Sequence, residues 1–562
     1  MKSRIFIPLT LLCASALTLT TTGCVEEVTP GGSTLDQNQL NSSTQAGMAT
    51  LAAIPSTMIF CNSDNSDRHS DIGYPGMQII RDRMTGDMTI NPNGTNYDQF
   101  SFWAQGYNDA GYWMPQIILN YYGKLILAIN KAAGTFPEGI ETEDGQGCRA
   151  KALAFRAMAY LDVARWFEYL PCDKTSSVNS DGNDVLGLTY PIVTEKTTQA
   201  EASNNPRATH EKMFQFILSD LQYAEENIGK APEELNTILY PDLACVYGLY
   251  ARLYMWDEDY ANAKKYADLA IAEHGGSPLT EAQWTDPKTG FNTPTGNSSW
   301  MWGTQLTAEN RAVTTGICNF VSFLSPEAVY GYSAAGAEFD PDWKFYSRIN
   351  NNDWRKQSWS AKKGDVTMQL KLKFNAASLA DDARKIAWSN NHQLVALKFR
   401  PNQGEISDYS IASAGANIVM RLEEMYFISI EAQAHDNAIA GKQALVDFMK
   451  TYRYSQYSCN KTAPEDIIEE IVFQKRVELW GEGQTLWDIK RLNYSVERGY
   501  DGTNWIKAAR FNTEGRPAWM NLVFVQTEGN SNEGLRGWNN PNTTGLYPQI
   551  EDDVVHFDAE NW

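Results

Sequence analysis

The densest set of residues that could do chemistry lies near the C-terminus, in the stretch QKRVELWGEGQTLWDIKRLN at 474–493. Glu478, Glu482 and Asp488 share it with several basic side chains. Two carboxylates that flank a cleft are what glycoside hydrolysis requires, so a catalytic set is one interpretation. The apolar residues of the same stretch require a core, however, and the charges could equally be ion pairs that hold a fold together.

The rest of the chain offers no clear catalytic or metal-binding pattern. The six His residues lack HExxH spacing, and there is no GxSxG motif, no P-loop and no GxGxxG after a strand. The segment DNSDRHSDIG has oxygen ligands but lacks the Gly and the bidentate Glu of an EF-hand loop. We therefore predict a protein that is not an enzyme, with no catalytic residue, no metal site and no cofactor.

The composition is that of a large, acidic, folded protein. Its 562 residues are 43% hydrophobic and 20% charged, and 17 are Trp and 27 Tyr. The formal net charge of −21 argues against nucleic acid or an anionic membrane surface as partner, because both require a basic surface. The Cys residues beyond the first 24 positions lie far apart without a CxxC motif, so we expect buried free thiols there.

The N-terminus, MKSRIFIPLTLLCASALTLTTTGC, has the form of a secretory leader. Lys2 and Arg4 supply the charged region, and the apolar run after them is too short to span a bilayer. The end resembles a bacterial lipoprotein box, although Thr21 stands where that pattern prefers Leu. The resemblance implies a signal peptide at 1–23 and lipidation of Cys24, which would anchor the protein to the outer membrane. Cleavage without a lipid is the alternative.

The segment behind Cys24 reads as an exposed tether. Glu26 and Glu27 resemble the acidic export signal that sends Bacteroidetes lipoproteins to the cell surface. The residues that follow are rich in Ser, Thr, Gln, Asn and Gly, which predicts a flexible lipidated tether at 24–50. We expect residues 51–562 to form a single domain.

Helical periodicity dominates the chain after a loop-like stretch at 57–113. It predicts helices at 115–133, 148–170 and 209–228. Thr209 is a candidate N-cap for the third of these helices. The predicted fold class is therefore predominantly α.

Two further segments resemble tetratricopeptide repeats, in which small residues let paired helices approach while aromatic residues fill the groove. The first is 242–274, with Tyr247, Ala251, Tyr254, Ala263, Ala267 and Ala270 near the expected positions, and a weaker one is 418–455. We expect a helical repeat scaffold at about 113–275 and 416–495, interrupted at about 276–415 by a loop-rich insertion with minor β structure. We predict that Trp300 and Trp302 in this insertion are buried side chains of a β-strand.

Five segments in order resemble the SusD/RagB family of outer-membrane nutrient-binding lipoproteins. They are KALAFRAMAYLDVARWFEYLP, PRATHEKMFQFILSDLQYAEENI, NNDWRKQSW, ANIVMRLEEMYFISIEAQA and the stretch at 474–493. The last resembles the family signature E-R-x-x-E-L-x-x-E-G-x-R-x-x-D-L-x-R, from which Gln474, Lys475 and Thr485 depart. The resemblance implies a SusD-like helical scaffold over nearly the whole mature chain.

The same resemblance favours a structural role for the charges at 474–493. We expect a helix that begins near Pro464 with a capping box at Thr462 and ends at the glycines of 481–483. The expected ion pairs join Asp488 to Arg491 or Lys490, and Glu478 and Glu482 to arginines elsewhere, such as Arg156 or Arg421.

Sugar binding requires flat aromatic faces that stack on a pyranose, with polar groups at their rim. In SusD-like proteins the ligand site draws on the N-terminal loop region and on the insertion, which here are roughly 65–113 and 290–345. The candidate rings are Tyr74, Trp103, Tyr107, Trp113, Tyr330, Tyr332 and Trp343, and the candidate hydrogen-bonding groups are Arg81, Asp82, Arg83 and Asn108. The alternative for each ring is that it packs beneath a loop.

The resemblance implies a surface-exposed, lipid-anchored glycan-binding protein that delivers oligosaccharides to a SusC-like TonB-dependent porin. Two alternatives stay open. One is a RagB-like component that binds peptides or proteins, and the other is a secreted helical glycosidase, which hydrolysis by the purified protein would reveal.

The lipoprotein box predicts the fate of a Cys24→Ala variant. Without the thiol no lipid is attached, so the variant should be released in soluble form or accumulate unprocessed, and it should not incorporate labelled palmitate. Fractionation of cells that express either form measures this. Palmitate labelling of the variant in the outer-membrane fraction would contradict Cys24 as the lipid site.

Overall fold

A computed structural model describes residues 44–61, 69–90, 108–286, 288–291, 293–317, 319–325, 327–328, 330–334, 339–360 and 395–550. This part of the chain is mostly helical with small sheets, which confirms the predicted fold class. The longer helices are α1 (Thr44–Met58), α2 (Tyr74–Arg83), α3 (Trp113–Thr135), α4 (Glu143–Phe167), α6 (His210–Asn227), α7 (Leu243–Trp256), α8 (Tyr260–His274), α15 (Leu422–Asp436), α16 (Ala438–Tyr452), α17 (Pro464–Leu479) and α18 (Thr485–Arg491).

Short helices and strands fill the connections. The short helices are α5 (Gln199–Ala202), α9 (Glu281–Thr285), α10 (Arg311–Thr314), α11 (Phe320–Leu324), α12 (Gly331–Ala334), α13 (Trp343–Arg348), α14 (Tyr409–Ala412) and α19 (Gln526–Ser531). The strands are β1 (Met88–Ile90), β2 (Trp300–Gln305), β3 (Phe339–Pro341), β4 (Trp359–Ser360), β5 (Val395–Ala396) and β6 (Ala416–Arg421). They form three antiparallel pairs, β1 with β3, β2 with β6, and β4 with β5.

The three sequence-predicted helices are present as α3, α4 and α6. Thr209 caps α6 as expected, because its side chain accepts a hydrogen bond from the backbone N–H of Lys212. Helix α4 begins five residues earlier than the periodicity indicates, with Glu143 and Asp144 in its first turn. Carboxylates are favourable there because the amino end of a helix carries partial positive charge.

The two predicted repeat units pack directly on each other although the insertion separates them in sequence. Helix α8 contacts both its partner α7 and helix α15 of the second unit. The small residues Ala263, Ala267 and Ala270 of α8 are completely buried, as the repeat pattern predicts. In the second unit, a Cβ at Gly441 would lie 2.4 Å from the Cβ of Ala434, so glycine permits the close approach of α16 to α15.

Two expectations about the N-terminal region are wrong. Helix α1 begins at Thr44, inside the predicted tether at 24–50, because Leu51 and Ile54 bury an apolar face against α3 and α4. The predicted loop at 57–113 contains α2, whose residues are all buried. The abundant charges and glycine of that segment are typical of a loop. They are accommodated in a core helix because several of the charged side chains have buried partners.

The insertion contributes the strands. Trp300 and Trp302 of β2 are buried and pair with β6, which confirms them as strand core. Strand β6 then runs into α15, so the insertion ends where the second repeat unit begins. Among the described residues, no helix combines the length and apolar character needed to cross a membrane.

Glu478 on α17 lies at the centre of a buried ionic cluster. Its carboxylate contacts the guanidiniums of Arg355 at 2.9 Å, Arg421 at 3.0 Å and Arg453 at 2.8 Å, and every one of these side chains is inaccessible to solvent. Burial alone would raise the pKa of Glu478, but Arg453, Arg421 and Arg355 outweigh it and hold that pKa well below its ordinary value. The charges of the stretch at 474–493 are therefore structural, as the resemblance implies.

The turn after α17 extends the cluster. Glu482 accepts hydrogen bonds from Arg421 at 2.8 Å and from Lys398 at 2.7 Å. Gly483 has a φ of +72°, and a Cβ there would lie 2.7 Å from the Cα of Gln78 on α2. Glycine thus lets the turn meet α2, and the Gly483 N–H donates to Asp82 at 3.2 Å.

Two residues that depart from the family signature, Gln474 and Lys475, have hydrogen-bond or ion-pair partners in the core. Gln474 accepts a hydrogen bond from Arg355 at 2.5 Å and donates one to Glu470 at 2.8 Å. Lys475 pairs with Asp488 at 2.9 Å, so the position keeps its positive charge without a guanidinium.

Of the alternative ion-pair partners that the sequence offers, Arg421 and Arg491 are confirmed, whereas Arg156 and Lys490 have other partners. Arg156 pairs with Asp220 and Glu195 rather than with the C-terminal acids, because α4 faces α6 at that point. Lys490 donates to the backbone carbonyls of four residues, which leaves Asp488 to Arg491 and Lys475. The helix starts at Pro464 as expected, but no side chain caps it.

Glu478→Ala should destabilise the fold strongly, because three buried guanidiniums would lose their shared carboxylate. We expect a loss of about 3–5 kcal/mol of unfolding free energy in urea denaturation. Glu469→Ala is the matched control, since that side chain is 37% exposed and pairs with Arg348 at the surface, and it should cost less than about 1 kcal/mol. Equal losses in the two variants would contradict the central role of Glu478.

Candidate functional site

Four of the predicted ligand-binding residues lie in the interior, on α2. Tyr74, Arg81, Asp82 and Arg83 are at most 2% exposed. Arg81 pairs with Asp162 at 3.1 Å, and its guanidinium lies 5.1 Å from the Tyr74 ring. Asp82 accepts from the Gly483 turn, and burial raises its pKa to about 7. The expectation that these four side chains face a ligand is not met in this structure, because they bind α2 to the rest of the core.

A second group of predicted residues lies against the C-terminal tail. Asn108 is fully buried, donates to the carbonyl of Asn521 at 3.1 Å and accepts from the N–H of Val523 at 3.0 Å. Its side chain is thus occupied by the tail rather than available to a ligand. Trp113, the first residue of α3, is half-buried, and Tyr112 beside it is 38% exposed.

The fold joins the N-terminal loop region to the insertion, as a shared ligand site requires. The His69 Nδ1 lies 2.5 Å from the hydroxyl of Tyr332, and the two rings meet edge to face. A little further on, β1 pairs with β3 in the register Met88 to Pro341. Tyr332 itself is only 6% exposed, so it links the two regions rather than presenting a free ring.

The exposed aromatic surface of the insertion is built around Tyr330 and Tyr409, and we call it the Tyr330–Tyr409 surface. The two ring centroids are 6.0 Å apart at an interplanar angle of 66°, and Tyr409 is 41% exposed. The apolar side chains of Ile317 and Ile411, which are 40% and 39% exposed, lie on the same segments of the insertion. These four residues form the surface as defined here.

Polar groups fix the Tyr330–Tyr409 surface and line its edge. The Tyr330 hydroxyl bonds the Ser413 hydroxyl at 2.8 Å, and burial raises the pKa of Tyr330, so the hydroxyl stays neutral. Asp408 caps α14 by accepting from the Ser410 N–H at 2.9 Å, and Asn402 donates to two backbone carbonyls of the same turn. The rings are therefore held in place, with hydroxyl, carboxylate and amide groups nearby.

Trp343 lies elsewhere, at the start of α13. Its backbone N–H donates to Asn504 at 2.8 Å, and its half-buried ring packs 5.4 Å from that of Tyr346. It follows β3 directly, so it lies on the part of the insertion that pairs with the N-terminal loop region. Trp103, Tyr107 and the lipidation residue Cys24 lie outside the described residues.

Tyr409 is the residue of this surface that the sequence analysis missed. It lies in the segment EISDYSIASAG, where one aromatic residue follows the capping Asp408 in a polar loop. That pattern marks an exposed ring, but its closeness to Tyr330, 79 positions earlier, depends on the fold. In the described ranges, no group of three or more His, Cys, Asp or Glu side chains could hold a metal ion.

Comparison with protein families gives one match. The model of the SusD family matches residues 274–538, which include the insertion, the second repeat unit and the ionic cluster. No curated protein sequence matches the chain. Together with the structural neighbours, this match confirms the resemblance to the SusD/RagB family that the sequence motifs indicate.

Solved structures with the same fold come from Bacteroides. A SusD-like carbohydrate binding protein from Bacteroides vulgatus is 20% identical, with a TM-score of 0.66 over 88% of this chain and 97% of that one. A SusD superfamily protein from Bacteroides thetaiotaomicron is 16% identical, with a TM-score of 0.64 over 88% and 98%. The surface glycan-binding protein A of the latter organism, in complex with laminarihexaose, is 14% identical, with a TM-score of 0.58 over 88% and 99%. At these identities the likeness shows the fold.

Proposed function

We propose that this SusD-like protein is a cell-surface lipoprotein that binds oligosaccharides and passes them to a SusC-like TonB-dependent porin. The observation that carries the proposal is the aromatic pair of the Tyr330–Tyr409 surface, in which Tyr409 is exposed and Tyr330 is half-buried. One structural neighbour is described as a surface glycan-binding protein in complex with laminarihexaose, which supports glycan as the ligand class.

The geometry of the pair suits a sugar chain better than a single sugar. Each ring can stack on the apolar face of one pyranose, and the 66° between the rings orients two such faces differently. A curved oligosaccharide could therefore contact both rings with successive units. Because a shallow platform buries little area, we expect dissociation constants of roughly micromolar to millimolar.

The remaining predicted rings are further candidates for contact with a longer sugar chain. Trp343 lies beyond β3, and Trp103 and Tyr107 belong to the N-terminal loop region that His69 and β1 join to the insertion. We propose that these residues complete the site. Trp113 is half-buried at the start of α3, against the main hydrophobic core, and is a further candidate.

Anchoring and delivery rest on the sequence and on the family resemblance. A lipid at Cys24 would hold the protein at the outer membrane, and the segment between Cys24 and α1 would let the folded domain extend away from it. The acidic surface charge disfavours adsorption to anionic lipid, which leaves the binding face accessible. Uptake of a bound glycan would then require a porin beneath the protein.

Tyr409→Ala should weaken oligosaccharide binding at least about tenfold, because it removes the most exposed ring of the surface. Tyr330→Ala should weaken it similarly, whereas Tyr330→Phe, which keeps the ring, should retain most of the affinity. The measurement is isothermal titration against a panel of plant, host and microbial glycans, with melting temperatures to confirm folding.

Trp538→Ala is the matched control, because Trp538 is an aromatic residue that is 40% exposed outside the insertion. Its affinity for glycan should equal that of the wild type. Unchanged binding in both tyrosine variants would remove the Tyr330–Tyr409 surface as the site. Binding of peptides and of no glycan would favour the RagB-like alternative, and hydrolysis of a glycan would favour the glycosidase.

The delivery step predicts a stable complex with a porin. When the full-length protein is purified with an affinity tag from detergent-solubilised outer membranes, a SusC-like porin should copurify with it. The Tyr409→Ala variant should retain the porin, because the glycan surface and the docking surface serve different partners. Recovery of the wild-type protein without any porin would contradict the delivery role and leave glycan binding intact.

A further inference from the structure

A cavity of about 270 Å³ opens inside the helical scaffold, where the carboxyl ends of α4 and α7 meet α15 and α18. Four of its lining residues carry N–H donors and are more than nine-tenths buried, namely Arg165, Arg252, Gln484 and Trp487, and we call them the floor. Glu258 is exposed and lies at the mouth. The cavity shares no lining residue with the Tyr330–Tyr409 surface, so it is independent of the function proposed above.

An unsatisfied donor lies in the floor. The indole N–H of Trp487 is buried and has no acceptor within the described ranges of the chain. A buried N–H without a partner costs free energy, so a native structure normally supplies one, either as solvent or as a ligand. The amide side chain of Gln484 lines the same floor and can donate as well.

Two guanidiniums add further donors. The Nε of Arg165 donates a hydrogen bond to the carbonyl of Leu161, and its Nη2 donates one to Asp162. The Nε and Nη2 of Arg252 both donate hydrogen bonds to the carboxylate of Glu424, at 2.7 Å and 2.6 Å. In each case Nη1 has no acceptor among the described residues, and both side chains line the cavity.

The floor also carries an excess of positive charge. Arg81 and Arg165 share the single carboxylate of Asp162, at 3.1 Å and 2.6 Å. Arg252 pairs one to one with Glu424. The guanidinium of Arg165 lies 4.4 Å from the Trp487 ring, so charge and indole donor occupy the same end of the cavity.

The other carboxylates that line the cavity are already engaged. Glu168 lies 2.7 Å from the Nδ1 of His210 and accepts from the indole of Trp256 at 2.7 Å. Asp257 lies 3.0 Å from the Nε2 of the same imidazole, and Asp488 pairs with Lys475. Glu258 has no ion-pair partner in the described chain, and its charge at the mouth opposes the entry of an anion.

We propose that this cavity binds a small oxyanion, which accepts hydrogen bonds from Trp487 and from the free Nη1 groups of Arg165 and Arg252. Inorganic phosphate and a simple carboxylate share the required chemistry, because both offer several acceptor oxygens to convergent donors. The occupant would satisfy the buried indole, offset the extra positive charge and join α4, α7 and α18, so binding should stabilise the fold.

The test measures the melting temperature and the binding heat of the full mature chain with sodium phosphate, sulfate or acetate, against sodium chloride at equal ionic strength. At least one oxyanion should raise the melting temperature beyond chloride and bind with a dissociation constant of roughly micromolar to millimolar. Preference for phosphate and sulfate over acetate would identify a tetrahedral ligand, and the reverse a carboxylate.

Three variants locate the site. Trp487→Phe keeps a ring between the guanidiniums but removes the donor, so affinity should fall about tenfold. Trp538→Phe, at an exposed indole outside the cavity, should leave it unchanged. Glu258→Gln removes the repelling charge at the mouth and should tighten binding about twofold, since a surface charge acts weakly through solvent.

Each alternative has a distinct result. If no oxyanion exceeds chloride, the cavity holds solvent and the proposal is wrong. If Trp487→Phe binds as tightly as the wild type, the anion lies elsewhere. If Trp487→Phe fails to fold, Gln484→Met, which preserves volume and removes the amide, takes its place and should also weaken binding. Weaker binding in Glu258→Gln would show that the mouth attracts a cationic group, which would overturn an anion site.

Discussion

Glu478 holds a negative charge in the interior with three guanidiniums around it, and the arrangement of the C-terminal half depends on this cluster. Arg355 comes from the insertion, Arg421 from the end of β6 and Arg453 from the end of α16, so one carboxylate fixes the positions of three separate segments. Paired buried charges add little net stability, because desolvation offsets their attraction. Their directionality is what matters here, because a displaced segment would leave a buried ion without a partner.

This constraint explains how a long insertion can interrupt a repeat without disrupting it. Helix α8 packs on α15 as consecutive repeats do, although about 150 residues separate them in the chain. The insertion leaves and returns through β2 and β6, which pair with each other, and Arg355 ties its middle to α17. The scaffold is thereby continuous, and the loops that it carries can vary without cost to the core.

The same loops illustrate why the candidate site could be predicted only in part. The family resemblance predicts a site that joins the N-terminal loop region to the insertion, and the contact of His69 with Tyr332 brings those two regions together. Arg81 and Asp82 are equally suitable residue types, but Arg81 pairs with Asp162 and Asp82 accepts from the Gly483 turn, so both side chains lie in the interior. Whether a side chain is exposed depends on which distant segments pack against it, and the local sequence does not specify those segments.

Local pattern by itself determined the helix periodicity, the capping of α6 by Thr209, the small-residue face of α8 and the structural use of the charges at 474–493. Each follows from residues within a few turns of one another, or from motifs whose order is preserved. Only the tertiary structure decided that Glu478 meets Arg421 but not Arg156, that Tyr409 lies beside Tyr330, and that α4, α7 and α18 enclose a cavity with unpaired donors. Those outcomes depend on contacts between distant segments, which the packing of the whole chain sets.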